Sequence, residues 1–144
     1  NYTRQPLGLR SALGLLYMMG SAPLLQQEQA PTRDMADSVI RAYLDSRMRN
    51  TDANGFLYQF AASRDYDPSG DLPRVTAPAL FINSADDQVN PPELGMAERY
   101  AAMMPKTRFV LLPITRETRG HGTHSQPRIW GGLLREFLSA LPER

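Results

Sequence analysis

The sequence predicts an α/β fold with a parallel sheet. Residues 79–83 and 108–113 are short apolar runs of the kind that form buried strands, and an amphipathic helix pattern lies between them. The second run is apolar at consecutive positions, which is typical of parallel strands covered on both faces. A strand–helix–strand crossover brings both strand ends to one edge of a sheet. Open α/β sheets bind ligands at that edge, so we expect the chemistry there.

The chain divides near Tyr66 into two regions. Residues 1–65 carry Met-rich helical patterns without a convincing strand, whereas residues 66–144 alternate strand and helix patterns. The turn-rich stretch 66–73, YDPSGDLP, joins the two. We therefore predict a helical lid over residues 1–65 and a sheet-bearing core over residues 66–144.

Three helices are predicted in the lid region. The first covers residues 9–19, and the second follows the N-cap Thr32 and extends to about residue 49. Either Thr51 or Asp52 caps the third. Met and aromatic side chains recur along these helices at helical spacing, which suits a lid over an apolar pocket. Ordinary core packing is the alternative for any one of them.

Two further helices are predicted in the sheet-bearing core. Pro91 and Pro92 favour the first turn of a helix that stops at Pro105. Ser125 is the expected N-cap of the last helix, with Pro127 in its first turn. The buried stripe expected for the earlier helix comprises Leu94, Ala97, Tyr100, Ala101 and Met104.

The composition excludes several classes of protein. A chain of 144 residues with 42% apolar and 22% charged residues can form a folded domain with a core. The net charge of +1 gives no reason to expect a nucleic-acid partner, and no apolar run approaches the roughly 20 residues that span a bilayer. The absence of Cys excludes disulfides and a thiol nucleophile. Neither a Gly-rich phosphate loop nor a metal-ligand spacing is present.

Acidic residues follow the first predicted strand and a histidine follows the second. Asp86 and Asp87 form the acidic pair, and His121 lies between Gly120 and Gly122, which permit tight backbone geometry. An Asp and a His at one sheet edge are the acid and base of a nucleophile–His–acid triad. Spacing alone leaves Asp86 and Asp87 as alternatives, and a solvated or turn-capping role is open to both.

The remaining histidine and the serines have weaker settings. His124 lies beside a predicted N-cap, so we assign it a supporting role. No serine has the G-x-S-x-G setting of an α/β-type nucleophile. Ser21 is at a helix end, Ser69 is in a turn, and Ser84 lies where it could only support the acidic pair. The nucleophile is therefore expected outside this chain.

Three segments resemble one known family. The stretches 83–93, NSADDQVNPPE, and 118–124, TRGHGTH, look like the acid and histidine loops of α/β hydrolases similar to homoserine O-acetyltransferases and their esterase-like members. The opening 1–6, NYTRQP, resembles a stretch entering the lid of those proteins. The resemblance implies the C-terminal portion of an α/β-hydrolase fold, with the helical lid and the last two core strands. It also places Asp87 in register as the catalytic acid and His121 as the catalytic base.

The resemblance further implies a carboxylic ester hydrolase with a Ser–His–Asp triad and no metal or organic cofactor. The Ser and the oxyanion hole would lie on a separate N-terminal chain. Gly122 stands where the acyltransferases have an acidic residue, which favours ester hydrolysis. O-acyl transfer to an alcohol such as homoserine, and a non-catalytic binding protein on the same fold, are the alternatives. The expected ligand is a small-molecule ester, with no nucleic acid and no membrane, and a higher homo-oligomer is compatible with this interpretation.

The first residue is Asn1 rather than Met. We expect a precursor that is cut before Asn1 to give a heterodimer of this chain and its N-terminal companion. The two would stay associated because half of a sheet exposes unpaired edges and apolar faces. An artefact of expression, or cleavage of an exposed loop during preparation, is the alternative. The sequence gives no basis for predicting a compartment.

Overall fold

The structure, a computed structural model, describes residues 2–142. Asn1, where the sequence analysis expects a cut, lies outside these residues. The described part has six α-helices and two β-strands. The helices are α1 (Leu7–Met19), α2 (Pro23–Gln29), α3 (Arg33–Asn50), α4 (Ala53–Ala61), α5 (Met96–Met103) and α6 (Pro127–Ser139), and the strands are β1 (Ala79–Ser84) and β2 (Thr107–Leu112).

The described chain separates into two compact units. The helical unit comprises the residues up to Met18 and the segment Pro23–Asp67. The sheet unit comprises the residues from Pro68 onward and also Met19–Ala22, the connection between α1 and α2. A short stretch of the helical sequence therefore belongs to the unit that contains the strands.

Side-chain caps define two helices of the helical unit, as predicted. The Thr32 hydroxyl accepts a hydrogen bond from the Met35 N–H at 3.3 Å and begins α3. The choice between Thr51 and Asp52 falls on Asp52, whose carboxylate accepts from the Gly55 N–H at 2.6 Å and begins α4. Helix α2 was not predicted from the sequence. It begins at Pro23, since proline fits the first turn of a helix.

Few apolar side chains of the helical unit are fully covered. Leu9 and Leu13 of α1 are buried, whereas α2, α3 and α4 bury no residue completely. Polar contacts tie the start of the chain to the α3–α4 connection, since Gln5 donates to the carbonyls of Met48 and Thr51. Large apolar side chains stay exposed on α4, among them Leu57, Tyr58 and Phe60.

Within residues 2–142, no helix is both long and apolar enough to cross a bilayer.

The two strands of the sheet unit pair in parallel, as predicted. Ala79 lies opposite Thr107 and Ser84 opposite Leu112, so the strands run in register over their whole length. Helix α5 forms the crossover and contacts both strands, and Ala101 is its buried residue. Because both strands point the same way, the loops after Ser84 and Leu112 leave the sheet at one edge.

Helix α5 begins later than the sequence predicts. Pro92–Leu94 form a short 3₁₀ turn instead of the first turn of the α-helix. Gly95 then adopts a left-handed conformation with φ of 61°, and this interrupts the helical path before Met96. As a consequence Leu94 is exposed and does not belong to the predicted buried stripe.

The start of the last helix also differs from the prediction. Ser125 ends a 3₁₀ turn, Gly122–Ser125, and its hydroxyl donates to the Gly122 carbonyl instead of capping α6. Gln126 occupies the N-cap position, but its side chain makes no capping hydrogen bond to α6, and Pro127 is the first helical residue, as expected. The hydroxyl that would have capped the helix is used inside the loop that carries His121.

Candidate active site

The acid loop begins directly after β1 and holds the side chain of Asp87. The Asp87 N–H donates to the Ser84 carbonyl at 3.0 Å, which turns the chain sharply at the end of the strand. Carboxylate Oδ1 then accepts the N–H groups of Val89 at 2.8 Å and Asn90 at 3.0 Å. Because Oδ1 accepts two backbone N–H groups, the orientation of the carboxylate is fixed, and Oδ2 remains to contact a residue outside the acid loop.

The histidine loop is held by contacts on both sides of His121. Gly120 has a φ of 57° and its carbonyl accepts from the Thr123 N–H at 3.0 Å. Thr123 is buried, its hydroxyl accepts from the Arg119 N–H at 2.8 Å, and its carbonyl accepts from the Trp130 indole N–H at 3.2 Å. These bonds fix the backbone conformation of the loop that carries His121.

The two loops bring Asp87 and His121 together. Oδ2 of Asp87 lies 3.1 Å from Nδ1 of His121, although the residues are 34 positions apart in the sequence. The Asp87 side chain is only 6% exposed, whereas that of His121 is 38% exposed. The contact with Asp87 uses Nδ1 and leaves the other ring nitrogen, Nε2, on the far side of the imidazole from Asp87. A carboxylate on Nδ1 holds the imidazole in the tautomer whose Nε2 can accept a proton.

The surroundings of Asp87 favour its ionised form. Burial alone would raise the pKa of this carboxyl, but the Asn90 N–H, His121 and the Val89 N–H outweigh that effect. The pKa of Asp87 therefore lies below its ordinary value. A carboxylate that stays charged can orient the imidazole and stabilise an imidazolium when one forms.

The other polar residues near this pair have supporting contacts. Asp86 accepts a hydrogen bond from the buried hydroxyl of Ser84, and that hydroxyl lies 3.5 Å from the Thr123 hydroxyl. His124 points Nδ1 at the His121 carbonyl, and its ring lies 5.0 Å from the His121 ring, centroid to centroid. Asp86 and His124 therefore lie beside the Asp87–His121 pair and make other bonds.

Two contributors to this geometry were not predicted from the sequence. Thr123 links the histidine loop to Ser84 and to α6, and its hydrophilic setting in the sequence gave no sign of burial. The connection Met19–Ala22 also contacts the histidine loop, through a hydrogen bond from the Gly122 N–H to the Gly20 carbonyl at 3.3 Å. The only signal for the second contact was the flanking of His121 by two glycines, which indicated a close approach without naming its partner.

Across the described chain, no group of three or more His, Asp or Glu side chains could hold a metal ion. The Asp87–His121 contact supplies the site with an oriented imidazole. Such a group can take a proton from a hydroxyl and return it to a leaving group, provided that the hydroxyl comes within hydrogen-bond reach of Nε2.

The fold is similar to solved structures of longer proteins. A homoserine O-acetyltransferase from Bacillus anthracis superposes with a TM-score of 0.69 at 15% identity, over 91% of this chain and 40% of the other. Rv0554 from Mycobacterium tuberculosis superposes with a TM-score of 0.60 at 18% identity, over 99% of this chain and 54% of the other. MGS-M2, an α/β hydrolase from a Medee basin deep-sea metagenome library, superposes with a TM-score of 0.57 at 17% identity, over 100% of this chain and 55% of the other.

No family model and no curated protein matches the sequence. This chain spans about half of the length of the solved structures that it matches, or less. The similarity nevertheless agrees with the predicted mixture of parallel strands and flanking helices, and it covers nearly all of this chain. The chain thus has an α/β-hydrolase-like fold, and it corresponds to part of that fold, as predicted for a C-terminal portion.

Proposed function

We propose that this chain supplies the acid and the base of a Ser–His–Asp triad in a carboxylic ester hydrolase. The observation that carries the proposal is the 3.1 Å contact between a buried, ionised Asp87 and the Nδ1 atom of a half-exposed His121. The pair lies on loops that leave a parallel sheet at one edge, where α/β folds have their active sites. The similarity to a homoserine O-acetyltransferase and to an α/β hydrolase supports the same reaction class.

In this mechanism His121 Nε2 takes the proton of a serine hydroxyl as the serine oxygen attacks the ester carbonyl. The tetrahedral intermediate collapses, the C–O bond to the leaving alcohol breaks, and His121 returns the proton to that alcohol. Water then attacks the acyl-enzyme, its proton passes to His121, and the acid is released as the serine recovers its proton. Asp87 stays ionised throughout and stabilises the imidazolium.

The serine belongs, in this proposal, to an N-terminal companion chain of the same precursor. Exposed apolar side chains of the sheet support such a companion. Phe81 is 41% exposed and Leu111 37% exposed, although parallel sheets are normally covered on both faces. The solved structures that match are also about twice the length of this chain or more, so further strands are available to cover these positions.

A serine-reactive fluorophosphonate probe tests the assignment of the nucleophile. Applied to the assembled protein, the probe should add one equivalent to a Ser of the companion chain and none to this chain, as measured by the intact mass of both chains. Pre-incubation with a short-chain ester should slow the labelling. A stoichiometric adduct on Ser21, Ser69 or Ser84 would contradict the proposal.

Isolated expression of this chain tests the companion itself. If the sheet needs further strands, the separate chain should aggregate or show rapid amide hydrogen exchange in β1 and β2, and co-expression with the companion should restore protection. A soluble, well-protected monomer would overturn the companion proposal. That result would leave the acid–base assignment of Asp87 and His121 intact.

Acyl transfer to an alcohol is the second candidate, because one similar structure is a homoserine O-acetyltransferase. The two reactions share the acyl-enzyme and differ in the molecule that resolves it. Product analysis with an acetyl ester and added homoserine distinguishes them, since transfer gives the O-acetyl alcohol and hydrolysis gives acetate. Tight binding of an ester with neither product would favour a non-catalytic binding protein on this fold.

A further inference from the structure

The connection between α1 and α2 lies against the histidine loop. Within the sheet unit, the Gly122 N–H donates to the Gly20 carbonyl at 3.3 Å, and Ala22 is buried. At Gly120 the approach is closer still. A methyl group added there would be 2.7 Å from the Ser21 carbonyl oxygen and 3.1 Å from the Asp86 carbonyl oxygen.

Two independent properties require glycine at position 120. The φ of 57° is disfavoured for a residue with a side chain, and the space for a Cβ is already occupied. The occupying atoms are backbone atoms of two separate segments, which cannot move aside as the end of a flexible side chain can. Gly120 therefore sits at the point where the α1–α2 connection, the acid loop and the histidine loop meet.

We propose that Gly120 is a positioning residue that sets the separation of His121 from Asp87 by letting the three segments close on one another. The 3.1 Å contact between Oδ2 and Nδ1 depends on how near the histidine loop comes to the acid loop. Asp86, which is adjacent to Asp87, provides one of the two backbone oxygens packed on Gly120. The carbonyl of Ser21 provides the other.

A side chain at position 120 would force the loops apart. A shift of several tenths of an ångström already takes the Asp87–His121 contact beyond about 3.5 Å, where hydrogen bonding is lost. Catalytic groups displaced by about 1 Å lose rate by about 10²-fold. Binding of the ester should change little, because the orientation of the base matters in the transition state rather than in binding of the substrate.

Glycine-to-alanine variants of the assembled enzyme separate this positioning role from the general cost of a left-handed residue. Gly95 is the matched control, since its φ of 61° is nearly the same but a Cβ there has no neighbour within 4 Å. Gly122→Ala is the local control, because its Cβ would make ordinary contacts at 3.5 Å and 3.6 Å. The measurements are kcat and KM for a short-chain aryl ester, and the Oδ2–Nδ1 distance in crystal structures of each variant.

Gly120→Ala should lower kcat by about 10²-fold with KM near the wild-type value, and should lengthen the Oδ2–Nδ1 distance beyond about 3.5 Å. Gly95→Ala should keep both kcat and the distance, and Gly122→Ala should lose far less rate than Gly120→Ala. A Gly120→Ala protein that keeps either the wild-type kcat or the 3.1 Å contact would overturn the inference.

The predicted change in kcat rests on the proposed function, whereas the predicted change in the Oδ2–Nδ1 distance does not. If the wild-type protein hydrolyses no ester, the proposed function fails and the distance alone decides the role of Gly120. If Gly120→Ala does not fold, Ala22→Val is used instead, because it enlarges a buried side chain of the same α1–α2 connection. A loss of kcat with a lengthened contact in Ala22→Val would then support the inference, and an unchanged contact would overturn it.

Discussion

The two units bury different kinds of side chain. Within residues 2–142, the buried side chains of the helical unit are the apolar Leu9 and Leu13, whereas the sheet unit buries polar residues next to its small apolar core. The buried polar or charged residues of the described chain are Ser84, Asp87, Thr118 and Thr123. Burying a polar group costs free energy unless it is hydrogen-bonded, and each of these four is.

The difference indicates which unit requires a precise arrangement of its side chains. Apolar contacts between helices tolerate small shifts, whereas a network of directional hydrogen bonds allows one arrangement of its loops. The network of the sheet unit surrounds Asp87 and His121. We therefore expect changes in the sheet unit to affect the chemistry and changes in the helical unit to affect stability.

The largest expected effect is that of removing the base. His121→Ala should lower ester turnover by about 10⁴-fold or more, because loss of a triad member leaves only the remaining machinery of the site. His124→Ala is the control and should cost far less, since Nδ1 of His124 bonds to the backbone carbonyl of His121 and its ring lies beside the His121 ring. The measurement is turnover of a short-chain aryl ester, with folding checked by circular dichroism. Greater sensitivity at His124 would mean that the wrong histidine is assigned.

Replacing the acid should be nearly as severe. In Asp87→Asn the amide oxygen can still accept the Val89 and Asn90 N–H groups, so the amide NH₂ is turned toward His121. The imidazole is then forced to accept at Nδ1 and to carry its proton on Nε2, and turnover should fall by about 10⁴-fold.

Asp86→Asn is the matched control for the acid, because the neighbouring carboxylate bonds to Ser84 and not to His121. Its turnover should stay close to that of the wild type. The same aryl ester assay compares the two variants. Equal losses at both positions would show that the loop, and not the Asp87 carboxylate alone, is responsible.

A change in the helical unit should act on stability instead. Leu13 has no exposed surface, and Leu13→Ala should lower the free energy of unfolding by about 2–5 kcal/mol through lost burial and a residual cavity. Leu15, on the same helix but 60% exposed, is the control, and Leu15→Ala should change stability by less than about 0.5 kcal/mol. Chemical denaturation of the assembled protein measures both. A large loss of turnover in folded Leu13→Ala would break the proposed contrast between the units.

The smallest expected effect is the contribution of Asp87 to acid stability. Its pKa is lowered on folding, so the charged carboxylate stabilises the folded state above the pKa of the unfolded chain. This contribution is lost as the pH falls through the lowered pKa of the folded state. The stability difference between the wild type and Asp87→Asn should therefore be constant near neutrality and shrink in acid. Unfolding curves over a pH series measure it, and a difference that grows in acid would contradict the assignment.

Local signals in the sequence were sufficient to predict several of the helices and both strands. The N-caps Thr32 and Asp52 act on residues three positions away, so the starts of α3 and α4 could be predicted from a few neighbouring residues. The parallel pairing of β1 and β2 followed from two apolar runs and the crossover between them. By contrast, the start of α5 was misplaced because Gly95 adopts a left-handed conformation that the prolines before it do not indicate.

The sequence by itself determined the class of fold, the strand–helix–strand order and the two loops that carry acidic and histidine residues. Spacing alone left Asp86 and Asp87 open and the family resemblance favoured Asp87, but only the tertiary structure shows that Asp87 contacts His121 and that Ser21 closes on Gly120. The physical reason is the range of the interactions. Helix caps and strand patterns act over a few residues, whereas the Asp87–His121 and Ser21–Gly120 contacts join segments that meet only when the chain is folded.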